Sequence, residues 1–410
     1  MLFVGIDWAE DHHDICVMDP EGRVKSKGRV SNDLVGVAKV HDLIAAAVPE
    51  DGESDDILPV VMVGIETDRG LLVRALVAAG YVVKAVNPLA VDRYRDRHRV
   101  SGAKSDPGDA YVLADMVRTD GHQHRTMAAD SDLAEAIKIV ARSHQSAIWS
   151  RRRFANQLRS ALREFYPAAL EAFPELTAGD AIGVLSVAST PELGRGLSRS
   201  KLAAALRRGG RKLNVDARAE KIQAILRADH LAQPAVVAGA YGAVVKSLVA
   251  MIEATSRQIG ELEEVLEAHF GMHPDVDILR SLPGLGVVTG ARVLAEFGDD
   301  PDRYETAKAR RNYAGTSPLT VASGTRRIVR ARHIRNRRLA DALHWWAFNA
   351  ITRSPGARAL YDQRRAAGDT HSGALRVVAN RLVAILHGCL RHRTLYDEHT
   401  AWGHRLELAA

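Results

Sequence analysis

Residues 58–65 read Leu58-Pro59-Val60-Val61-Met62-Val63-Gly64-Ile65, an uncharged run that stops at Glu66. A continuous apolar stretch of that length suits a strand buried on both faces, and such a strand needs helices on each side of its sheet. The neighbouring sequence supplies them. Apolar strands are expected at 2–6 and 14–18, with a third at 23–30 after the turn signal Pro20-Glu21-Gly22. Helical spacing follows at 34–48, where Val37, Val40, Leu43 and Ile44 recur, and again at 70–79. Another buried strand covers 81–86 and ends at Asn87-Pro88; two more helices follow, the second over 107–118. Three early strands and then alternating helices and strands imply an α/β domain with a mixed sheet, expected over residues 1–125.

Beyond a polar, aperiodic stretch at 119–130 the pattern turns all-α. Residues 133–165 hold no proline or glycine and read as one long helix ended by Pro167. Residues 167–239 carry several Gly and Pro breaks, as short helices with connecting loops do. In 241–270, Val245, Leu248, Ile252, Thr255, Ile259, Leu262 and Leu266 alternate steps of three and four, an a/d heptad seam. A coiled coil, with the upstream helix or another subunit as partner, satisfies that pattern; so does an amphipathic helix on a core. Residues 126–272 are expected to form a helical, coiled-coil linker and oligomerisation region, and 273–410 a mainly helical C-terminal domain. Near the start of the latter, Ser281-Leu282-Pro283-Gly284-Leu285-Gly286 forms a helix-hairpin-helix-like pattern. Its turn either seats a phosphate on backbone N–H groups or is a plain helical corner. The last helical stretch, 339–395, breaks near Gly368.

Several function classes drop out. No stretch is expected to approach the roughly 20 apolar residues of a membrane span. The N-terminus meets Asp7 at once with no basic region before it, unlike a signal peptide. Two cysteines, Cys16 and Cys389, make neither a disulfide framework nor a cysteine-rich zinc site, which fits a reducing cytoplasm. A net charge of +6 and an isoelectric point near 9.3 favour a polyanionic partner. The charge is concentrated: Lys308, Arg310, Arg311, Arg326, Arg327, Arg330, Arg332, Arg335, Arg337 and Arg338 share a segment without one acid. Two more acid-free runs span 138–163, with Arg151, Arg152 and Arg153, and 195–212, with Arg207, Arg208 and Arg211. Arginine forks match phosphate oxygens, and each neutralised phosphate releases counterions, so nucleic acid is the expected partner.

Four carboxylates fall where phosphoryl-transfer chemistry needs them. Asp7 ends the first strand and Glu66 the central one, while Asp106 and Asp109 lie three apart at a helix start and share one face. Charges at buried strand ends need solvent, a partner or a metal. Hard oxygen donors suit Mg2+, with Mn2+ as a substitute, and a pair of such ions can clamp both the attacking and the leaving oxygen. Taken singly, Asp7 also suits a strand-end turn and Asp106 an N-cap before Pro107. Glu10, Asp11, Asp14 and Asp68 are neighbouring alternatives. His12 and His13, adjacent on a strand and so pointing to opposite faces, are set aside as ligands.

Gly5-Ile6-Asp7, Gly64-Ile65-Glu66 and Lys104-Ser105-Asp106-Pro107-Gly108-Asp109-Ala110 together resemble the RuvC-like, RNase H-like DEDD catalytic domain of the insertion sequence 110 family transposases. The Ser281–Gly286 turn, Tyr313-Ala314-Gly315-Thr316-Ser317-Pro318, Ala322-Ser323-Gly324-Thr325 and the basic run to Arg338-Leu339 resemble that family's second domain. The resemblance implies site-specific DNA recombination by an element-encoded enzyme. It further implies a structured noncoding guide RNA that pairs with donor and target DNA. It carries the metal-binding roles onto Asp7, Glu66, Asp106 and Asp109 and the nucleophile onto Ser323. The family's Gly-Leu-Ala-Pro before that serine reads Gly315-Thr316-Ser317-Pro318 here, which leaves Ser317 as a rival hydroxyl.

A serine hydroxyl needs activation, and no base stands near Ser323 in sequence; carboxylate-bound Mg2+ on the first domain would supply it, making the active site composite. Arg326, Arg327 and Arg330 would neutralise the scissile phosphate. Arg151, Arg152, Arg153, Arg310, Arg311, Arg335, Arg337 and Arg338 are the further nucleic-acid contacts expected. Strand exchange requires at least two active sites, hence a dimer or tetramer. Two other readings compete: a RuvC-like junction nuclease whose nucleophile is water, and a noncatalytic nucleic-acid-binding protein.

Overall fold

The computed structural model describes residues 1–48, 60–98, 105–127, 130–323, 326–330, 332 and 335–406. They form two compact units, Met1–Ala129 and Asp130–Ala410. In the first unit β1 (Leu2–Trp8), β2 (His12–Met18) and β3 (Val24–Ser31) form an antiparallel meander. Helix α1 (Leu34–Ala45), β4 (Val61–Ile65), α2 (Leu71–Ala78) and β5 (Val82–Ala85) follow. Then come α3 (Pro88–His98), α4 (Asp106–Asp120) and the two-residue β6 (Arg125–Thr126). The sheet order is β3-β2-β1-β4-β5-β6, with β1, β4 and β5 parallel and the other pairs antiparallel. This is the expected mixed sheet with helices on its faces, compatible with an RNase H-like domain. The central apolar run delivers β4 from Val61 onward; residues 49–59, including the expected start at Leu58, lie outside the described residues.

Both faces of the sheet are apolar, as parallel central strands require. Val4, Ile6, Val63 and Ile65 point to one side and join Val40, Ile44 and Leu76 of α1 and α2. Phe3, Cys16 and Met18 point to the other and join Ala110, Leu113 and Val117 of α4. Two glycines decide how close α4 can lie. Gly5 and Gly64 are paired neighbours on β1 and β4. A Cβ on Gly5 would stand 1.9 Å from the carbonyl oxygen of Ala110, and one on Gly64 2.8 Å from that of Leu113. The helix backbone therefore rests directly on the sheet, which brings its N-terminus over the ends of β1 and β4.

In the second unit α5 (Asp132–Phe165) leads into a set of short helices. These are α6 (Pro167–Ala172), α7 (Gly179–Leu185), α8 (Pro191–Arg195), α9 (Arg199–Arg208) and α10 (Val215–Arg227). The chain returns along α11 (Ala235–Gly271), which packs antiparallel to α5: Phe165 stacks on Tyr241 at one end, and Ile137 shares a core with Phe270 at the other. Val245, Leu248, Ile252, Thr255, Ile259 and Leu266 of the heptad seam are buried, and Leu262 is half-buried.

The remaining elements are α12 (Val276–Ser281), α13 (Val287–Phe297), α14 (Ala307–Ala314), the hairpin β7 (Leu319–Ser323) and β8 (Arg326–Arg330), α15 (Arg337–Ala350), α16 (Pro355–Ala366), α17 (His371–His392) and α18 (Glu398–Leu406). Gly284 has φ 76, and its Cβ position lies 2.6 Å from the Ala350 backbone nitrogen, so the turn between α12 and α13 is pressed onto α15. The Pro283 carbonyl there accepts from the Trp346 indole at 3.0 Å. Gly368, at φ 91, marks the expected break between α16 and α17. One expectation needs correcting: α11 and α17 are long and apolar enough, by length and composition, to cross a membrane. Leu375, Val378, Leu382 and Leu386 of α17 are buried in the unit's core, as the core helix of a globular unit also requires.

Candidate active site

The sheet topology gathers the first unit's acids. Asp7 and Asp14 are directly opposite each other on β1 and β2, so they share a face. Glu66 follows β4 in the register that pairs Ile65 with Ile6, beside Asp7. Asp106 and Asp109 occupy the first turn of α4, lowered onto that face by the two glycines. The Asp7 carboxyl records the result. Its pKa is pushed up to about 6 by burial and then by the charges of Asp109, Asp106, Glu66 and Asp14. The other three expected carboxylates thus all act on Asp7, and Asp14 does so too. Glu10, Asp11 and Asp68 are not among the groups that raise Asp7.

Two arginines that no sequence signal singled out offset part of this charge. Arg29 of β3 reaches Asp14 at 2.7 Å and Asp106 at 3.2 Å. Arg95 of α3 reaches Asp109 at 2.8 Å and Asp92 at 3.1 Å. Their distance along the chain from the acids hid them.

A divalent cation fits this donor set. His12, Asp14 and Asp106 each offer a ligand atom, all within 4.8 Å of one another. The His12 Nε2 and the His13 Nδ1 are both buried without a hydrogen-bond partner among the described residues, and of the two histidines His12 is the one within reach of Asp14 and Asp106. His12 therefore returns to consideration. Alternation excludes only one histidine of the pair, and that one is His13, whose ring bonds Asn32 at 3.2 Å.

The raised Asp7 pKa has a consequence for stability. A carboxyl whose folded pKa exceeds its ordinary 3.8 costs the fold nothing below pH 4; the cost grows from there to about pH 6 and is complete above. In metal-free buffer, Asp7→Asn is expected to melt above the wild type at pH 7.5, with the gap closing by pH 4. Added Mg2+ or Mn2+ should raise the wild-type melting temperature at pH 7.5 and much less at pH 5, and should barely move Asp7→Asn. Scanning calorimetry reads all three; a metal shift equal in both proteins would show that Asp7 is no ligand.

In the second unit, Ser323 closes the β7–β8 hairpin by pairing with Arg326. Gly324 and Thr325 lie outside the described residues, as do the side chains of Ser323, Arg326, Arg327 and Arg330. The hairpin has no counterpart among the expected elements. Ser317 precedes it and is half-buried.

The other arginines separate into kinds. Arg152, Arg153 and Arg337 are exposed, and Arg335 lines a cavity. Arg151 extends to Ser256 of α11 at 3.5 Å, and Arg311 donates to the Ala307 carbonyl at 3.3 Å. Arg310 departs from the expected phosphate contact: it is 5% exposed, with its guanidinium 4.6 Å from the Tyr304 ring centre and 5.2 Å from that of Phe297. Arg338 is likewise committed. It donates to the Arg142 carbonyl at 3.0 Å and Ser146 Oγ at 2.8 Å, over the Trp149 ring. The basic run 195–212 is largely neutralised in space, with Arg211 on Asp180 at 2.7 Å, Arg207 on Asp216 at 3.9 Å and Arg199 on Glu220.

Known proteins resemble the chain along its whole length. Residues 4–167 match the DEDD transposase family model of IS110 elements, described as "Transposase". Residues 276–362 match one described as "Transposase IS116/IS110/IS902 family". The transposase ascribed to the IS117 mini-circle of Streptomyces coelicolor is 45% identical over 100% of this chain and 98% of its own length. A 42 kDa protein of insertion element IS900 from Mycobacterium paratuberculosis is 28% identical over 97% of this chain and 98% of its own. Whole-length similarity at that level, together with both family matches, places the chain in the IS110 family of transposases.

Proposed function

We propose that the chain is an RNA-guided DNA recombinase in which Ser323 is the nucleophile and Asp7, Glu66, Asp106 and Asp109 hold Mg2+. The observation that carries the metal role is the convergence of these carboxylates, which raises the Asp7 pKa to about 6. His12 and Asp14 complete the donor set and admit Mn2+ in place of Mg2+. When bound, the cation supplies Lewis-acid stabilisation of the charge that develops on the phosphate and on the leaving oxygen.

The chain's own residues do the rest. The Ser323 oxygen attacks the phosphorus of a DNA phosphodiester, forming a serine–phosphate ester as the bond to the 3′ oxygen breaks. The serine proton passes to that oxygen, directly or through solvent, giving a free 3′-hydroxyl. Rejoining is the reverse: a 3′-hydroxyl of the exchanged strand attacks the ester and releases the serine. Bond energy is conserved throughout, so no nucleotide hydrolysis is needed. Exposed Arg152, Arg153 and Arg337, with Arg326, Arg327 and Arg330 of the hairpin strand, are the proposed backbone contacts. The guide RNA enters through family likeness, and the dimer or tetramer through the need for two reacting strands.

The test is to trap the protein on its element's DNA ends with guide RNA and Mg2+, then map the DNA-modified peptide by mass spectrometry. Attachment at Ser323 is expected. Attachment at Ser317 would move the nucleophile, and cleavage with no adduct would favour the water-using nuclease.

A further inference from the structure

The second unit contains a cavity of about 460 Å3 whose wall joins the two roots of the β7–β8 hairpin: Thr316 just before it and Arg335 just after it. Arg337, Arg376, His344 and Ser372 also line it. Arg335, Arg337 and Arg376 form no ion pair among the described residues. Asp341, the carboxylate in this wall, is already engaged, accepting from Gln145 at 2.9 Å and lying 3.9 Å from Arg292. Burial and the nearby Arg376 charge hold the Arg335 guanidinium below its usual range, and three arginines share the wall with the single carboxylate of Asp341. Ser372 stands in the first turn of α17, which adds the positive end of a 22-residue helix.

Beside this cationic wall runs a row of aromatic rings. Trp345 and Phe348 on α15 are 42% and 40% exposed, unusual for such large apolar groups. They link edge-to-face from His344 in the wall: His344–Trp345 at 5.8 Å, Trp345–Phe348 at 5.9 Å and Phe348–His371 at 6.3 Å. Each edge-to-face contact covers at most one face of one ring, and the exposure of Trp345 and Phe348 leaves ring surface for stacking.

We propose that this cavity and its rim bind an unpaired nucleotide of a nucleic-acid strand. Arg335, Arg337 and Arg376 take backbone phosphates, and Trp345 and Phe348 stack the base. Cationic grooves interleaved with exposed rings select single strands, because a duplex keeps its base faces hidden. A strand held here lies at the foot of the hairpin that carries Ser323. The proposal rests on the transposase reading only in taking nucleic acid as the ligand. DNA and RNA strands share this chemistry, and the test separates them.

The experiment measures binding of the full-length protein to oligothymidylate, oligouridylate and a blunt DNA duplex of equal length by fluorescence anisotropy. Trp345→Ala and Phe348→Ala are expected to weaken single-strand binding by about 5- to 100-fold each, with duplex binding nearly unchanged. Trp345→Phe should retain most of the affinity, and unchanged melting of each variant excludes misfolding. Arg376→Ala should weaken every ligand and reduce the salt dependence by about one counterion. Loss confined to oligothymidylate assigns the site to DNA; loss confined to oligouridylate assigns it to RNA. Stacking variants that bind single strands like the wild type, or lose duplex binding equally, overturn the proposal. Failure of the recombinase reading would instead appear as absence of the Ser323 adduct, leaving these binding differences intact.

Discussion

Ser323→Ala is expected to abolish the covalent protein–DNA species and to lower strand cleavage by at least ~10^3-fold, because no other group takes over once a nucleophile is removed. Metal binding should survive, since the carboxylates belong to the other compact unit. The measured pair is adduct yield on a denaturing gel and the metal-induced rise in melting temperature. Loss of the first with retention of the second is the signature of a missing nucleophile. Cleavage within a few-fold of the wild type would assign the attack to water and sink the serine mechanism. Ser317→Ala, on the segment leading into the hairpin, should leave the adduct in place.

Gly5→Val is expected to collapse the first unit. A Cβ at residue 5 would sit 1.9 Å from the Ala110 carbonyl oxygen and 2.3 Å from the Ala114 nitrogen, both backbone atoms of α4. Neither can rotate away, so the helix must lift off the sheet and uncover Leu113 and Val117, which are buried against it. Overpacking of this severity costs about 3 kcal/mol or more, a large share of a domain's net stability. Metal binding should vanish as well, because Asp106 and Asp109 travel with the helix. Gly64→Ala should be milder, since its Cβ would stand 2.7 Å from the Val117 side chain and 2.8 Å from the Leu113 carbonyl oxygen, against 1.9 Å at residue 5. Differential scanning calorimetry and hydrogen exchange of the first unit check the order; equal melting of Gly5→Val and wild type would refute it.

Much of the first unit was legible because local pattern and tertiary role coincide there. A short, β-branched, uncharged run bounded by turn signals favours a central strand, and acids at its ends must meet solvent, a partner or a metal. Asp7, Glu66, Asp106 and Asp109 therefore stood out before their convergence was visible. Arg29, Arg95 and His12 did not. Each owes its position to pairing between segments remote in sequence, and His12 was discarded by an alternation argument that could exclude only one of two neighbours. Charge runs misled for the same reason. The acid-free stretch 195–212 meets Asp180, Asp216 and Glu220 in space, and Arg310 lies under aromatic rings. The β7–β8 hairpin escaped notice because a short two-stranded ladder leaves little period to read.

The sequence by itself determined the class of chain: an acid-bearing mixed sheet followed by helices, in an order of motifs that resembles one transposase family. Backbone propensity, apolar periodicity and residue chemistry are local, so they survive in one dimension. Only the tertiary structure decided which charges are free. It neutralised one basic run, buried Arg310, committed Arg338 to α5, and left Arg335, Arg337 and Arg376 around an open cavity beside bare aromatic rings. Coulomb and desolvation energies depend on separation in space and access to water, and neither is written in the spacing of residues along a chain.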